Sequence, residues 1–474
     1  MRRFLAGTAV LMASMYFSDA RQRLGRSLQA QPFEPSERCF LPAVMAPLRL
    51  ETITGDFEEL KRKLTQMKND GGVVAITTDV WWGKVQQDGP NSFDFGVYLT
   101  FAQAIREVGM KWVPIMSTHK CGGNVGDSCN IPIPDFAMPK TQQELDERAF
   151  GFRENHIGQV RYVTESLAPW YGDALGMYEV FFNKFAETFE SYKDIIHEVY
   201  LSYGPAGELR YPSYNKETNW VYPDVGYIMA YSGGAISEFQ NWAREQHATI
   251  SSLNQRLGTN YGAFEDLQPP QNDKDFLTKN DCEATNGACW KTAYGHFFLT
   301  WYQEMLVRHV ANVAEKATAM SHRLEAGLRG KIAGIHWKHR TNSGPLAAIA
   351  AGYYFENYEP IVTAFSKKKL GLTFTCLEMF DDWWNDSWPL DLIYKIASQC
   401  QQQNVPMSGE NALESTLDKS DAYVHYNQVN AHLDNYGFQG FTLLRYESFI
   451  ANQNHNIANY HHYVTKRPGV CSVN

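Results

Sequence analysis

The sequence predicts an α/β fold closed into a (β/α)8 barrel, the TIM barrel, with long loops after its strands. Three observations carry this expectation. Short apolar or β-branched runs alternate with amphipathic helical stretches from residue 42 onward, and eight such runs can be counted. Near-continuous apolar strands imply a parallel sheet covered on both faces, and eight repeats suggest closure. The long polar, Gly- and Pro-rich connections fall after strands, where a barrel places its chemistry.

The elements follow in order. A strand over 43–48 precedes a helix over 57–68, where Phe57, Leu60, Leu64 and Met67 fall at helical spacing. Strands over 73–77 and 112–116 flank a helix over 97–108. A helix over 178–192 leads to a strand over 198–202, and helices over 227–246 and 297–320 lead to one over 332–335. A strand over 372–377 and a helix over 390–402 come next, then a strand over 405–407, a helix over 418–433 and a last strand over 441–444. Long connections span 119–171, 204–226, 259–292 and 336–358.

Residues 41–474 therefore read as a single barrel domain and 21–40 as a linker. Residues 1–20 read as a signal peptide: Arg2 and Arg3 precede an apolar stretch too short for a comfortable membrane span, and Ser18-Asp19-Ala20 offers small residues for cleavage. A retained signal anchor is the alternative, because Arg21, Arg23 and Arg26 follow. Either reading sends the chain into the secretory pathway, to the outside or to an endomembrane compartment.

Of the 474 residues 44% are hydrophobic and 20% charged, which excludes a disordered chain. A net charge of −9 argues against a nucleic acid or an anionic membrane as partner. Aromatic residues reach 14%, with 12 Trp and 26 Tyr; they suit either a large core or stacking on sugar rings. Eight cysteines fit an oxidising compartment. The pairs Cys121/Cys129 and Cys282/Cys289 are spaced to close small disulfide loops. Cys376, in an apolar run, reads as a buried thiol, and Cys39, Cys400 and Cys471 remain unassigned. Neither cysteine spacing resembles a zinc site.

Two segments each carry a glutamate beside glycine after a strand-like run: Gly204-Pro205-Ala206-Gly207-Glu208-Leu209-Arg210 and Ser408-Gly409-Glu410-Asn411-Ala412. A single Gly-Glu is ordinarily a turn with a solvated acid. Two at strand ends of one barrel supply the paired carboxylates that glycosidic bond cleavage needs. Asp79-Val80-Trp81-Trp82-Gly83 follows the second strand; its acid suits sugar hydroxyls, or alternatively a helix cap. After the third strand, His119 precedes Gly122, Gly123, Asn124, Val125, Gly126 and Asp127, glycine-rich enough to form a lid. Lys331 is an odd resident of a strand unless it reaches a polar centre, and His336 stands at that strand's exit. Thr375 and Arg445 end the sixth and eighth strands.

These segments resemble the β-amylases, inverting glycosidases that release β-maltose from non-reducing ends of α-1,4-glucans such as starch or glycogen. The likeness runs from Met45-Ala46-Pro47-Leu48 to Arg445, with blocks at Asp79–Gly83, His119–Pro134, Gly204–Tyr214, Gly334–Trp337, Thr373–Met379 and Gly409–Leu413. The Cys121/Cys129 pair and the segment before Tyr446 look more like bacterial members. The resemblance implies Glu208 as general acid and Glu410 as general base. It also implies residues 122–127 as the lid, Thr375 on a second mobile loop, and Asp79, His119, Asp127, Lys331, His336, Asn411, Ala412 and Arg445 as further substrate contacts. Gln86 stands where the family commonly has an acid, in a region that supplies calcium ligands in bacterial relatives. No metal or other cofactor is therefore expected. The starch-binding module of some bacterial members is not expected here. The alternative is a weak or inactive glucan-binding or regulatory protein on the same scaffold, which would be expected to lack an acid, the base or the lid.

Overall fold

A computed structural model describes residues 31–33, 39–124, 127–279, 289–340, 344–354, 357–413, 417, 421–451 and 456–472. The expected signal segment lies outside them, as does the expected linker except residues 31–33, 39 and 40. The chain divides after Gln31, and the unit Pro32–Asn474 carries the barrel.

In chain order the described strands are β1 (Leu41–Met45), β2 (Ala75–Trp81), β3 (Lys111–Ser117), β4 (Phe150–Arg153), β5 (Val160–Val163), β6 (Glu198–Leu201), β7 (Gly327–Ile332), β8 (Gly371–Phe374), β9 (Met407–Glu410) and β10 (Gly440–Leu443). Eight of them close a barrel in the order β1-β10-β9-β8-β7-β6-β3-β2, every pair parallel. The expected (β/α)8 barrel is the fold observed. Strands wrapped by helices are covered on both faces, and every residue of β1, β2 and β10 is buried.

Helices between the strands bury one stripe each. In Phe57–Gly71 that stripe is Leu60, Leu64 and Met67; the Asp56 side chain accepts from Glu59 N at the start, and left-handed Gly72 ends the helix. The 32-residue helix Ala293–Leu324 packs on Asp173–Phe189.

The structure corrects four expectations. The fifth barrel strand is Gly327–Ile332 rather than 332–335, because its two glycines hide its strand character. The seventh is Met407–Glu410 rather than 405–407, which places Glu410 on the strand itself. The helix expected over 227–246 begins at Gly233, where the Ser232 hydroxyl caps it. Inside the 119–171 connection, β4 and β5 form an unforeseen antiparallel hairpin.

Cys121–Cys129 is a disulfide, as is Cys39–Cys471, which joins the two ends of the unit. Cys289 is disulfide-bonded, and Cys282 lies outside the described residues. Cys376 and Cys400 are buried thiols.

Candidate active site

The segment after β6 turns sharply at Ala206 (φ 55°) and Gly207 (φ 77°), a left-handed conformation that favours glycine at the second position. The turn aims Glu208 into the barrel mouth. Glu208 pairs with Lys331 in a parallel bridge, and Leu209 N donates to the Lys331 carbonyl (2.9 Å). The Glu208 carboxylate accepts from Arg210 Nε (2.7 Å), and its side chain is 15% exposed. Burial raises its pKa above the ordinary carboxylate range. The Arg210 charge and hydrogen bond pull it back, while the charge of Glu410 adds to the rise. Arg210 is itself fully buried; its Nη2 reaches Asn124 Oδ1 (3.2 Å), and its guanidinium stacks over Tyr214.

Across the mouth, Glu410 ends β9 with one carboxylate oxygen 2.6 Å from Lys331 Nζ. Asn411 donates to Leu444 O (3.0 Å) and accepts from Leu444 N (2.8 Å), fixing the chain just before Arg445. Ala412 N and Leu413 N both donate to the buried carboxyl of Glu378. Burial pushes that carboxyl up to about 7, against the pull of these amides.

Lys331 stands at the centre of the remaining groups. Its charge acts on Glu208, on Asp79 and on His119. Asp79, buried on β2, accepts from Ser117 Oγ (2.7 Å), and burial raises its pKa. His119 shares a hydrogen bond with Ser202 Oγ (2.9 Å) and meets Trp81 edge-on. Burial first, then Lys331 and Arg210, lower its pKa to about 3, so the ring is neutral at pH 7. Arg445 Nη1 is buried without a hydrogen-bond partner, a donor left for a ligand. His336 shares a hydrogen bond with Ser387 Oγ (2.7 Å) at the exit of β7, and burial lowers its pKa to about 4. Thr375 follows β8 and is half-buried.

The lid is stapled by Cys121–Cys129. Asp127 accepts from Gly122 N (3.0 Å) and Asn124 N (3.2 Å), so its carboxylate is spent on the lid's own backbone in this conformation. Val125 and Gly126 lie outside the described residues.

Sequence reasoning missed Glu165, which is fully buried behind the lid. Its carboxyl accepts from Ala206 N (3.2 Å) in the turn before Glu208 and from Asn215 Nδ2. Its backbone carbonyl accepts from Lys120 N (2.6 Å). A Cβ on Gly123 would come within 2.6 Å of the Glu165 side chain, so only glycine lets the lid lie against it. Burial lifts Glu165 to about 7; Arg210 opposes the rise and Asp127 adds to it. No local motif announces such a residue. An acid in the apolar-flanked run Val163-Thr164-Glu165-Ser166-Leu167-Ala168 was the available signal.

Calcium does not fit the region of Gln86. The carboxamide oxygen already accepts from Trp82 Nε1 (2.7 Å), and its nitrogen donates to Pro90 O (2.8 Å). The groove beside it is lined by Phe136, Met177, Val180 and the cationic Lys316, and besides Gln86 only Asn91 and Asp173 bring side-chain oxygens to it, whereas calcium takes six to eight oxygens. Among the described residues two other clusters have metal-ligand spacing, Cys39/His197/Cys471 and Cys121/Asp127/Cys129. Their sulfurs are joined in disulfides.

A closed parallel barrel with paired buried carboxyls at its strand ends defines a glycoside hydrolase scaffold. The model of glycosyl hydrolase family 14 matches residues 43–467, and the chain belongs to that family. It is 41% identical to the thermophilic beta-amylase of Thermoanaerobacterium thermosulfurigenes over 415 residues, 86% of this chain and 70% of that protein. It is 32% identical to the beta-amylase of Vigna unguiculata over 402 residues, 81% of this chain and 76% of that one. The bacterial likeness is the stronger, as the sequence suggested. The crystal structure of the catalytic domain of beta-amylase from Paenibacillus polymyxa superposes with a TM-score of 0.80 at 35% identity, covering 91% of this chain and 99% of that one.

Proposed function

We propose that the protein is a β-amylase, an exo-acting hydrolase that releases β-maltose from the non-reducing ends of α-1,4-glucans with inversion. The observation that carries this reading is the contrast between two carboxyls at one barrel mouth. Glu208 sits where burial favours its protonated form, and Glu410 is held by an ammonium 2.6 Å away.

Glu208 is the general acid. It gives its proton to the glycosidic oxygen as the bond from that oxygen to the anomeric carbon breaks, and Arg210 orients it. Glu410 is the general base. It takes a proton from a water on the opposite face, the water oxygen bonds to the anomeric carbon, and configuration inverts. Neutral His119, Asp79 and the free donor of Arg445 bind hydroxyls of the sugar, and Asn411 and Ala412 hold the strand exit from which Glu410 works. His336 and Thr375 contact the substrate farther along the mouth. The lid closes over the sugar and keeps out bulk water.

Export through the secretory pathway is supported by the disulfides Cys39–Cys471 and Cys121–Cys129. No described helix is long and apolar enough to cross a membrane. The decisive experiment is incubation with soluble starch: maltose alone, formed first as the β anomer, is expected. Mixed oligosaccharides would indicate endo attack, and no sugar release would return the chain to the inactive, glucan-binding alternative.

A further inference from the structure

Trp383 and Trp384 are 67% and 82% exposed, and their rings stack on each other with centroids 4.4 Å apart. So much indole surface in water is unfavourable unless something covers it. The pair is presented rigidly. Asp382 and Ser387 close the tip with two backbone hydrogen bonds (2.8 and 2.9 Å), and the Asp382 carboxylate accepts from Trp384 N and from the Asn385 side chain. Asp386 anchors the foot by accepting from Arg340 N (3.0 Å) and Trp388 Nε1 (2.8 Å).

The tip is continuous with the candidate site. Ser387, at its foot, hydrogen-bonds His336 on one side and Tyr222 on the other. Tyr222 is 44% exposed, so an aromatic path leads outward from His336.

We propose that Trp383 and Trp384 form a glucan-binding platform outside the cleft, which holds the reducing-side remainder of a long α-1,4-glucan while its other end is trimmed. The inference rests on the β-amylase reading above. An exo-enzyme that removes two sugars per cycle leaves the body of the polymer outside the mouth. The apolar C–H faces of its pyranose rings match flat, immobile indoles, which lose little entropy on binding.

The test compares the Trp383→Ala/Trp384→Ala variant with its parent, both produced in a bacterial host so that no glycan is attached at Asn385, the acceptor of the glycosylation sequence Asn385-Asp386-Ser387. Rates on maltotetraose should stay within about twofold, whereas kcat/KM on long amylose should fall by at least about fivefold, mainly through KM. In a Glu208→Gln background, adsorption to starch granules should fall in parallel. Equal rates on both substrates, or equal losses on both, would overturn the proposal. So would an effect seen only as a lower melting temperature, or only as loss of a dimer. If the parent released no maltose from either substrate the enzymatic reading would fail, and granule adsorption would still report on the platform.

Discussion

Lys331 links the two candidate catalytic glutamates: its Nζ lies 2.6 Å from the Glu410 carboxylate, and its main-chain carbonyl accepts from Leu209 N, the residue after Glu208. In Lys331→Met the main-chain link survives and the charge is lost. Activity on maltotetraose should fall by about 10²-fold or more, as in Glu410→Gln, since general acid–base catalysis is worth about 10²–10⁴-fold. Each single change also leaves a buried partner without its counterpart, which costs about 3–5 kcal/mol. Denaturant unfolding should show that the Lys331→Met/Glu410→Gln double variant recovers much of this stability while regaining no activity. Additive stability losses would mean that the pair is not coupled.

Glu165 links the lid to the turn that carries Glu208 through Gly123, Lys120 and Ala206. Glu165→Gln keeps the size and one acceptor, but turns an amide toward a backbone or Asn215 donor. A loss of about 1–3 kcal/mol at this junction is expected. It should appear as a fall in kcat of at least about tenfold, with KM moving less because Glu165 is fully buried behind the lid. A normal kcat with a lowered melting temperature would make Glu165 a core residue only.

The barrel was legible because its strands are buried on both faces and its helices on one, which produces two different periods in the chain. Glu208 and Glu410 were legible because each sits beside glycine after an apolar run. Lys331 was legible as a charge out of place that needed a polar centre, though not its partner, Glu410, which only the fold brings to it. Glu165 and the supporting role of Glu378 were not. Their work is to accept hydrogen bonds from amides brought near only by the fold, and nothing local marks them. β7 and β9 were misplaced for a related reason: Gly327, Gly330 and Gly409 have weak strand preference, and the barrel neighbours impose the extended form.

Glu378 gives a pH dependence with a definite sign. Its folded-state pKa is raised from 4.5 to about 7, so the native state holds the proton more tightly than the unfolded chain. Its contribution to stability is therefore full below about 4.5 and is lost as pH rises through about 7, a change of the order of 3 kcal/mol. Denaturant unfolding at pH 5 and pH 8 should show a smaller pH difference in Glu378→Gln than in the parent. An unchanged difference would place the Glu378 pKa near that of an ordinary carboxyl.

Chelators should leave the enzyme untouched. Gln86 Oε1 is occupied by Trp82, and the adjoining groove offers a single carboxylate, Asp173, beside the cationic Lys316. Activity and melting temperature in EDTA should equal those in buffer. A loss restored by calcium would overturn the reading of the Gln86 region as one that holds no ion.

The lid gives the last test. Both amides that define its first turn, Gly122 N and Asn124 N, converge on Asp127 Oδ2, and Lys216 Nζ reaches the Asp127 carbonyl at 2.7 Å. Hydrogen bonds to a charged acceptor contribute about 1.5–3 kcal/mol, against about 0.5–1.5 for a neutral one. Asp127→Asn should therefore loosen this turn by about 1 kcal/mol while Cys121–Cys129 still staples its base. The barrel does not depend on the lid, so melting should stay near native. Closure over the sugar does depend on it, so kcat/KM on starch should fall by about tenfold or more. Lowered melting with normal kinetics would reduce Asp127 to a turn-capping residue.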